Sequence, residues 1–292
     1  MRFVSQSLAL SLLFLGFLQS QAQSPQQCTT TIINVNATGN VTPLGVNSSG
    51  KVSGTFFDTG FSAHGFTWFN GNGQLYDFPG ASQTLLSGIN DHGIAVGTAI
   101  NNDGSSSGFT LDKNGATTAF AVPNTFATTA TGINNRGDIV GVAQGVESSS
   151  TGFLKVGNTF TLIQFPGALS TTPNGINDAG VIVGDYFDGT NTHGFVSVKG
   201  RFVTFDLPGT SSTDVRGINN QGEIVGEFRQ TADAQGQGFK FKDGKFTTFQ
   251  FPGSTFTELS GVNARGDSVG DALTSDVNDF LSGPGFLLTC HP

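Results

Sequence analysis

From about residue 28 onward, apolar residues fall in short runs broken by Gly, Asn, Asp and Pro. No segment holds a 3.6-residue period between helix caps, so essentially no helix is predicted beyond the N-terminal segment. Residues 213–251 show the local pattern. "TDVRGIN" (213–219), "GEIVGEF" (222–228), "GFKFKD" (238–243) and "KFTTFQF" (245–251) read as four strands. In the last, Phe246, Phe249 and Phe251 supply the apolar positions and a Thr pair stands between them. That is the signature of a half-buried strand between turns.

The same pattern recurs. "GVNSSGKVSG", "GINDHGIAVG", "GINNRGDIVG", "GINDAGVIVG", "GINNQGEIVG" and "GVNARGDSVG" begin at Gly45, Gly88, Gly132, Gly175, Gly217 and Gly261. A Gly-Phe step follows each, ending in Phe66, Phe109, Phe153, Phe195, Phe239 and Phe286. A Pro-Gly turn or near variant follows most of these. Four strands per unit of this length predict an all-β fold, a six-bladed β-propeller of four-stranded blades. The domain would span 23–292, with the phenylalanines packed between sheets. The Asn and Gly of each first turn suit a tight turn, because Asn bonds its own backbone and Gly takes positive φ freely.

The sixth unit ends after "GFLLTC", before a fourth strand. "TTTIINV" (29–35) has no blade of its own, so the last blade is expected to be closed by this N-terminal strand. Aligned on the fifth unit, Cys290 falls at Asp243 and Cys28 at Gly244, neighbours in one turn. A disulfide between Cys28 and Cys290 is therefore expected to fasten the ring.

These units resemble the bacterial extracellular HAF-type repeats. The "GIN-x-x-G-x-IVG" core carries the resemblance, with His64-Gly65-Phe66 and His193-Gly194-Phe195 matching the step that the name echoes. The other four units carry Ser107, Thr151, Gln237 and Pro284 in place of the His, so His is not a repeated ligand. The resemblance implies export and a repeat fold, and it supplies no activity or catalytic residues to carry over.

Composition narrows the function. The first residues combine Arg2, an apolar run from Leu8 to Leu18 and a Ser20-Gln21-Ala22 step. We expect residues 1–22 to be a secretory signal, and the mature chain to be periplasmic or extracellular with no membrane span after cleavage. The formal charge is −8, with no basic stripe for nucleic acid. The expected partners are an extracellular polysaccharide or a surface protein, and the expected state is a monomer.

The loop between the second and third strands varies from unit to unit, as a binding face on a regular scaffold does. The residue after the Val-Gly step, Ser-Gly in the first unit, is Thr55, Thr98, Val142, Asp185, Glu227 or Asp271. Three acids in consecutive units would crowd one side of the channel mouth. Asp188 and Asp276 lie in the same loops, with His193 beside them. Such a group would suit a hard cation such as Ca²⁺, or a glycan; the plainer reading is solvated acids that keep an acidic exported protein soluble. Two readings stay open: an exported non-catalytic binding scaffold, and an exported glycoside hydrolase or lyase using these acids.

Overall fold

The computed structural model describes residues 27–145, 150–232, 234–274 and 283–291. The expected signal segment therefore lies outside the described residues. Strand β1 (Gln27–Ile32) comes first. Unit one is β2 (Gly39–Val46), β3 (Val52–Asp58), β4 (Ala63–Phe69) and β5 (Asn72–Tyr76). Unit two is β6 (Gln83–Ile89), β7 (Ala95–Ile100), β8 (Ser106–Leu111) and β9 (Thr117–Phe120). Unit three is β10 (Ala127–Ile133), β11 (Ile139–Gln144), β12 (Ser150–Val156) and β13 (Thr159–Ile163). Unit four is β14 (Ser170–Ile176), β15 (Val181–Phe187), β16 (Thr192–Val198) and β17 (Arg201–Thr204). Unit five is β18 (Ser212–Ile218), β19 (Ile224–Arg229), β20 (Gln237–Lys242) and β21 (Lys245–Phe249). Unit six supplies β22 (Ser254–Val262), β23 (Ser268–Thr274) and β24 (Gly285–His291). No helix occurs among the described residues.

The fold is an all-β propeller, with one departure from six separate sheets. The strands make four four-stranded sheets and one eight-stranded sheet. Units two and three share the larger sheet through a single parallel pair, Ser106 opposite Ala127. There the start of β8 leans on the chain entering β10, and the Ser106 N–H donates to Phe126 O at 3.4 Å. In the sheet of unit six the order is β1-β24-β23-β22, so the first and last of the described strands meet there. Cys28 stands opposite Cys290 in that antiparallel pair, and the two form a disulfide with Cα atoms 4.1 Å apart.

The repeated residues explain themselves as packing. Phe66, Phe109, Phe153, Phe195, Phe239 and Phe286 are all fully buried. In four units a strand glycine, Gly54, Gly97, Gly141 or Gly226, gives the ring its room. At Gly226 a Cβ would collide with the carbonyl oxygen of Asp214 and crowd Phe239.

The turn asparagines do two jobs at once. In the fifth unit, Asn219 Oδ1 accepts the N–H groups of Gln221 and Glu223 at 3.0 and 2.9 Å and shapes its own turn. Its Nδ2 donates to the carbonyl of Asn263 in the next unit at 2.8 Å. Asn47, Asn90, Asn134 and Asn177 each reach the next unit's Asn in the same way, at 3.0–3.3 Å. Asn263 then donates to Asn47 O at 3.0 Å, so the six repeat units form a closed ring. All six side chains are buried. A buried donor and acceptor are satisfied by one amide, which an Asp could not do.

Candidate functional site

The first strand of every unit lies next to the ring axis. Ser87-Gly88-Ile89, Asn174-Gly175-Ile176, Arg216-Gly217-Ile218 and the three equivalent triplets surround a cavity of about 350 Å³. A second cavity of about 70 Å³ lies beyond it, toward the Asn turns. A collar of Val46, Ile89, Ile133, Ile176, Ile218 and Val262 borders both.

Strand alternation decides what faces the larger cavity. Glu258 and Ser260, two residues apart on β22, both line it, and so does Arg216 on β18, whereas Asp214, two residues earlier and separated from Arg216 by a shift in register, does not. Register then sets acid against acid: Asp214 pairs with Glu227 and Glu258 with Asp271. Asp185 pairs with Thr172. Like charges directly opposite each other are unfavourable in a sheet.

Two guanidinium groups face these acids, Arg216 among them and Arg229 at Glu227. Arg216 Nε lies 3.0 Å from Glu258 Oε1, and its Nη1 lies 3.7 Å from Asp185 Oδ1. Asn174 Nδ2 donates to Asp185 Oδ1 at 2.6 Å and to Val215 O at 2.8 Å. Arg229 Nη2 stands 3.7 Å from Glu227 Oε1, while Glu227 Oε2 is buried without a hydrogen bond. Glu227 is only 4% exposed.

The electrostatics follow from that crowding. Burial pushes Asp185 up to about 7, and Arg216 offsets only part of the shift. Burial, with Glu258 and Asp214 adding to it, pushes Glu227 up to about 7. Burial and Glu258 push Asp271 to about 7 as well. Burial also raises Asp214. For Arg216, burial alone would lower the pKa, but Glu258, Asp185 and Asp214 outweigh it and hold the charge firmly.

Asp185, Glu227 and Asp271 thus gather around Arg216 and Glu258, although they are sunk beneath the rim. Asp188 and His193 do not join them. Tyr186 and His193 are register partners on the face of β15 and β16 opposite Asp185. His193 Nδ1 lies 2.7 Å from Asp206 Oδ2, its Nε2 lies 3.3 Å from Asp188 Oδ2, and its ring stacks on Tyr186. Asp188 Oδ1 accepts the N–H groups of Thr190 and Asn191, which closes the loop. His64 repeats the device between Asp58 and Asp77. Asp276 lies outside the described residues.

The alignment on Val-Gly passed over Asp214, Arg216 and Glu258. Their signal is in the inner strand, where "TDVRGIN" and "TELSGVN" place charge. Among the described residues, no group of three or more His, Cys, Asp or Glu side chains is disposed to hold a metal ion. No helix among them is long and apolar enough to cross a membrane.

No protein-family profile and no curated protein sequence matches the chain. Solved structures match its fold. A streptogramin B lyase aligns over 90% of this chain and 98% of its own, at 13% identity and a TM-score of 0.53. AofleA from Arthrobotrys oligospora aligns over 85% and 84%, at 12% identity and a TM-score of 0.53. The Aleuria aurantia lectin, a six-bladed β-propeller that recognises fucose, aligns over 82% and 89%, at 13% identity and a TM-score of 0.50. At such identity the likeness is one of fold. Propellers of this kind include lectins and a lyase, so both binding and catalysis are compatible with it.

Proposed function

We propose that the chain is an exported, non-catalytic binding scaffold whose ligand enters the larger axial cavity against its charged side. In this reading it is a six-bladed propeller: the eight-stranded sheet counts as two blades joined by one bridge, and β1 completes the last blade. The closed ring of six asparagines supports that count. Membership of the HAF-type repeats belongs to the same proposal and rests on the "GIN-x-x-G-x-IVG" core. So does export, which the disulfide favours.

The observation that carries the function is an asymmetry. Six equivalent units surround the cavity, yet its charged lining, Arg216 and Glu258, and the four acids packed behind it, Asp185, Asp214, Glu227 and Asp271, come from units four to six alone. Ring closure does not need them, and burying them costs stability. Costly buried charge at a cavity marks a functional site better than it marks a scaffold. The ligand class is a glycan or an extended segment of a surface protein, held by hydrogen bonds donated by Arg216 and Ser260 and accepted by Glu258 and the Asn174 carbonyl. Arg216 fills the place among the acids that a hard cation would need, so this reading takes it, rather than Ca²⁺, as their counter-ion.

A second reading has one observation behind it. Carboxyls with pKa values of about 7 are suited to proton transfer at neutral pH, as a glycoside hydrolase or lyase requires. A glycan array read together with product release from the bound polysaccharides separates the two. Binding without turnover, weakened by Glu258→Gln, is the expected result. Turnover abolished by Asp185→Asn or Glu227→Gln would replace the scaffold with an enzyme.

A further inference from the structure

A second cavity, of about 340 Å³, lies away from the axis, between the outer hairpin of unit five and the first turn of unit six. Lys240, Lys242, Lys245 and Arg265 line it. Those are four of the chain's 13 basic residues, in a protein with a formal charge of −8. We propose that this cleft binds the anionic group of a sugar residue, a uronate carboxylate or a sulfate ester.

The cleft is built in layers. Lys240 forms the floor. Its side chain is 13% exposed, its Nζ donates to Gly266 O at 2.6 Å, and burial lowers its pKa. Glu223, also buried, lies 3.9 Å from Lys240 Nζ and 3.6 Å from Lys242 Nζ, so one carboxylate is shared between two ammonium groups. Arg265 is held by Asp267 through Nε and Nη2 at 2.8 and 2.7 Å. The remaining acid on the wall is Asp243, in the hairpin turn. Lys245 has no charged partner among the described residues. The cleft therefore presents more positive charge than its own acids neutralise, and an incoming anion would be met by Lys245, Lys242 and the free edge of Arg265.

The concentration is specific to this place. The outer hairpin of unit five carries three lysines in "KFKDGK", whereas the matching stretch of unit one, "TWFNGN", has none, units two and three have one lysine each, Lys113 and Lys155, and unit four has Lys199 and Arg201. A recess of this volume accommodates one sugar-sized group. The acidic remainder of the surface disfavours a continuous polyanion such as nucleic acid. An isolated anionic residue in a glycan chain fits both facts. This site is independent of the axial one.

The test is a titration followed by two-dimensional NMR with galacturonate and galactose 6-sulfate, using galactose as the neutral control. The expected result is saturable shifts around Lys242, Lys245 and Arg265 with at least one of the two anions and none with galactose. Lys242→Gln combined with Lys245→Gln should weaken that binding by roughly tenfold or more, the effect of losing charge-assisted hydrogen bonds. Glu258→Gln in the axial cavity should leave it unchanged. Absence of shifts with both anions, equal shifts with galactose, or binding that survives in the double variant would overturn the proposal.

Discussion

Around the larger axial cavity, units one to three and units four to six solve the same geometric problem with different chemistry. The cross-strand pairs of the first half are Thr42 with Thr55, Leu85 with Thr98, and Thr129 with Val142. Those of the second half are Thr172 with Asp185, Asp214 with Glu227, and Glu258 with Asp271. The register, the buried phenylalanine and the bridging asparagine are the same in both. At these cross-strand positions the first half packs without charge. The charged half therefore carries an electrostatic cost that packing does not require.

The largest effect should come from Arg216. Replacing it with Met leaves Glu258 and Asp185 without their counter-ion and should cost about 3–5 kcal/mol at pH 8. Ser87→Ala, at the equivalent position of the neutral half, should stay within about 0.5 kcal/mol. Urea denaturation of both variants checks this, and equal losses would break the comparison.

The seam lies in the charged half, because the first and last described strands, β1 and β24, pair in unit six. Cys28→Ser with Cys290→Ser should cost roughly 2–5 kcal/mol. Hydrogen exchange should then rise first in units six and one, and a uniform rise around the ring would mean that the seam is not the weak point.

Glu227 gives a stabilising prediction. Its folded pKa of about 7 lies above the unfolded value, so the folded state holds a proton that the unfolded state releases between about pH 4 and 7. Stability is fullest below the unfolded pKa and falls as pH rises to the folded one. Glu227→Gln should thus stabilise the protein by about 2–3 kcal/mol at pH 8, and by little at pH 4. Thermal melts at the two pH values read the difference, and a gain independent of pH would contradict the electrostatic cause.

The smallest effect concerns the loop histidine. For His193, burial alone would lower the pKa, but Asp206 and Asp188 outweigh it and hold it above the ordinary value. Its contribution is present below the unfolded pKa and is lost as pH rises through the folded one. Asp206→Asn should bring the NMR-detected titration of His193 back down, with no change at Asp185.

Much of the scaffold could be read from the chain because its repeat is written in residue types with one structural use. Asn219 and Gly222 predict a turn from local chemistry. The ring bond from Asn219 to Asn263 was not readable, because turn preference does not distinguish the amide's spare donor from solvent. Pairing of Cys28 with Cys290 was readable because the missing strand and the surplus strand are both visible in the repeat alignment. The link between Ser106 and Ala127 depends on how two neighbouring units lean together, which no residue type announces. At the site, equivalent positions located Asp185, Glu227 and Asp271. Asp188 and His193 were grouped with them because they share a loop, whereas strand alternation puts His193 on the opposite face and a local turn takes up Asp188.

The central claim is that the acids of units four to six form one coupled, buried group at the axial cavity. Carboxyl-detected NMR titration tests it most directly. Asp185, Glu227 and Asp271 should titrate at about 7, while Asp188, held down by the N–H of Asn191, should titrate below the ordinary carboxylate value. Glu258→Gln should lower the titration of both Glu227 and Asp271. Titration of all three acids in the ordinary carboxylate range, unmoved by Glu258→Gln, would contradict the account.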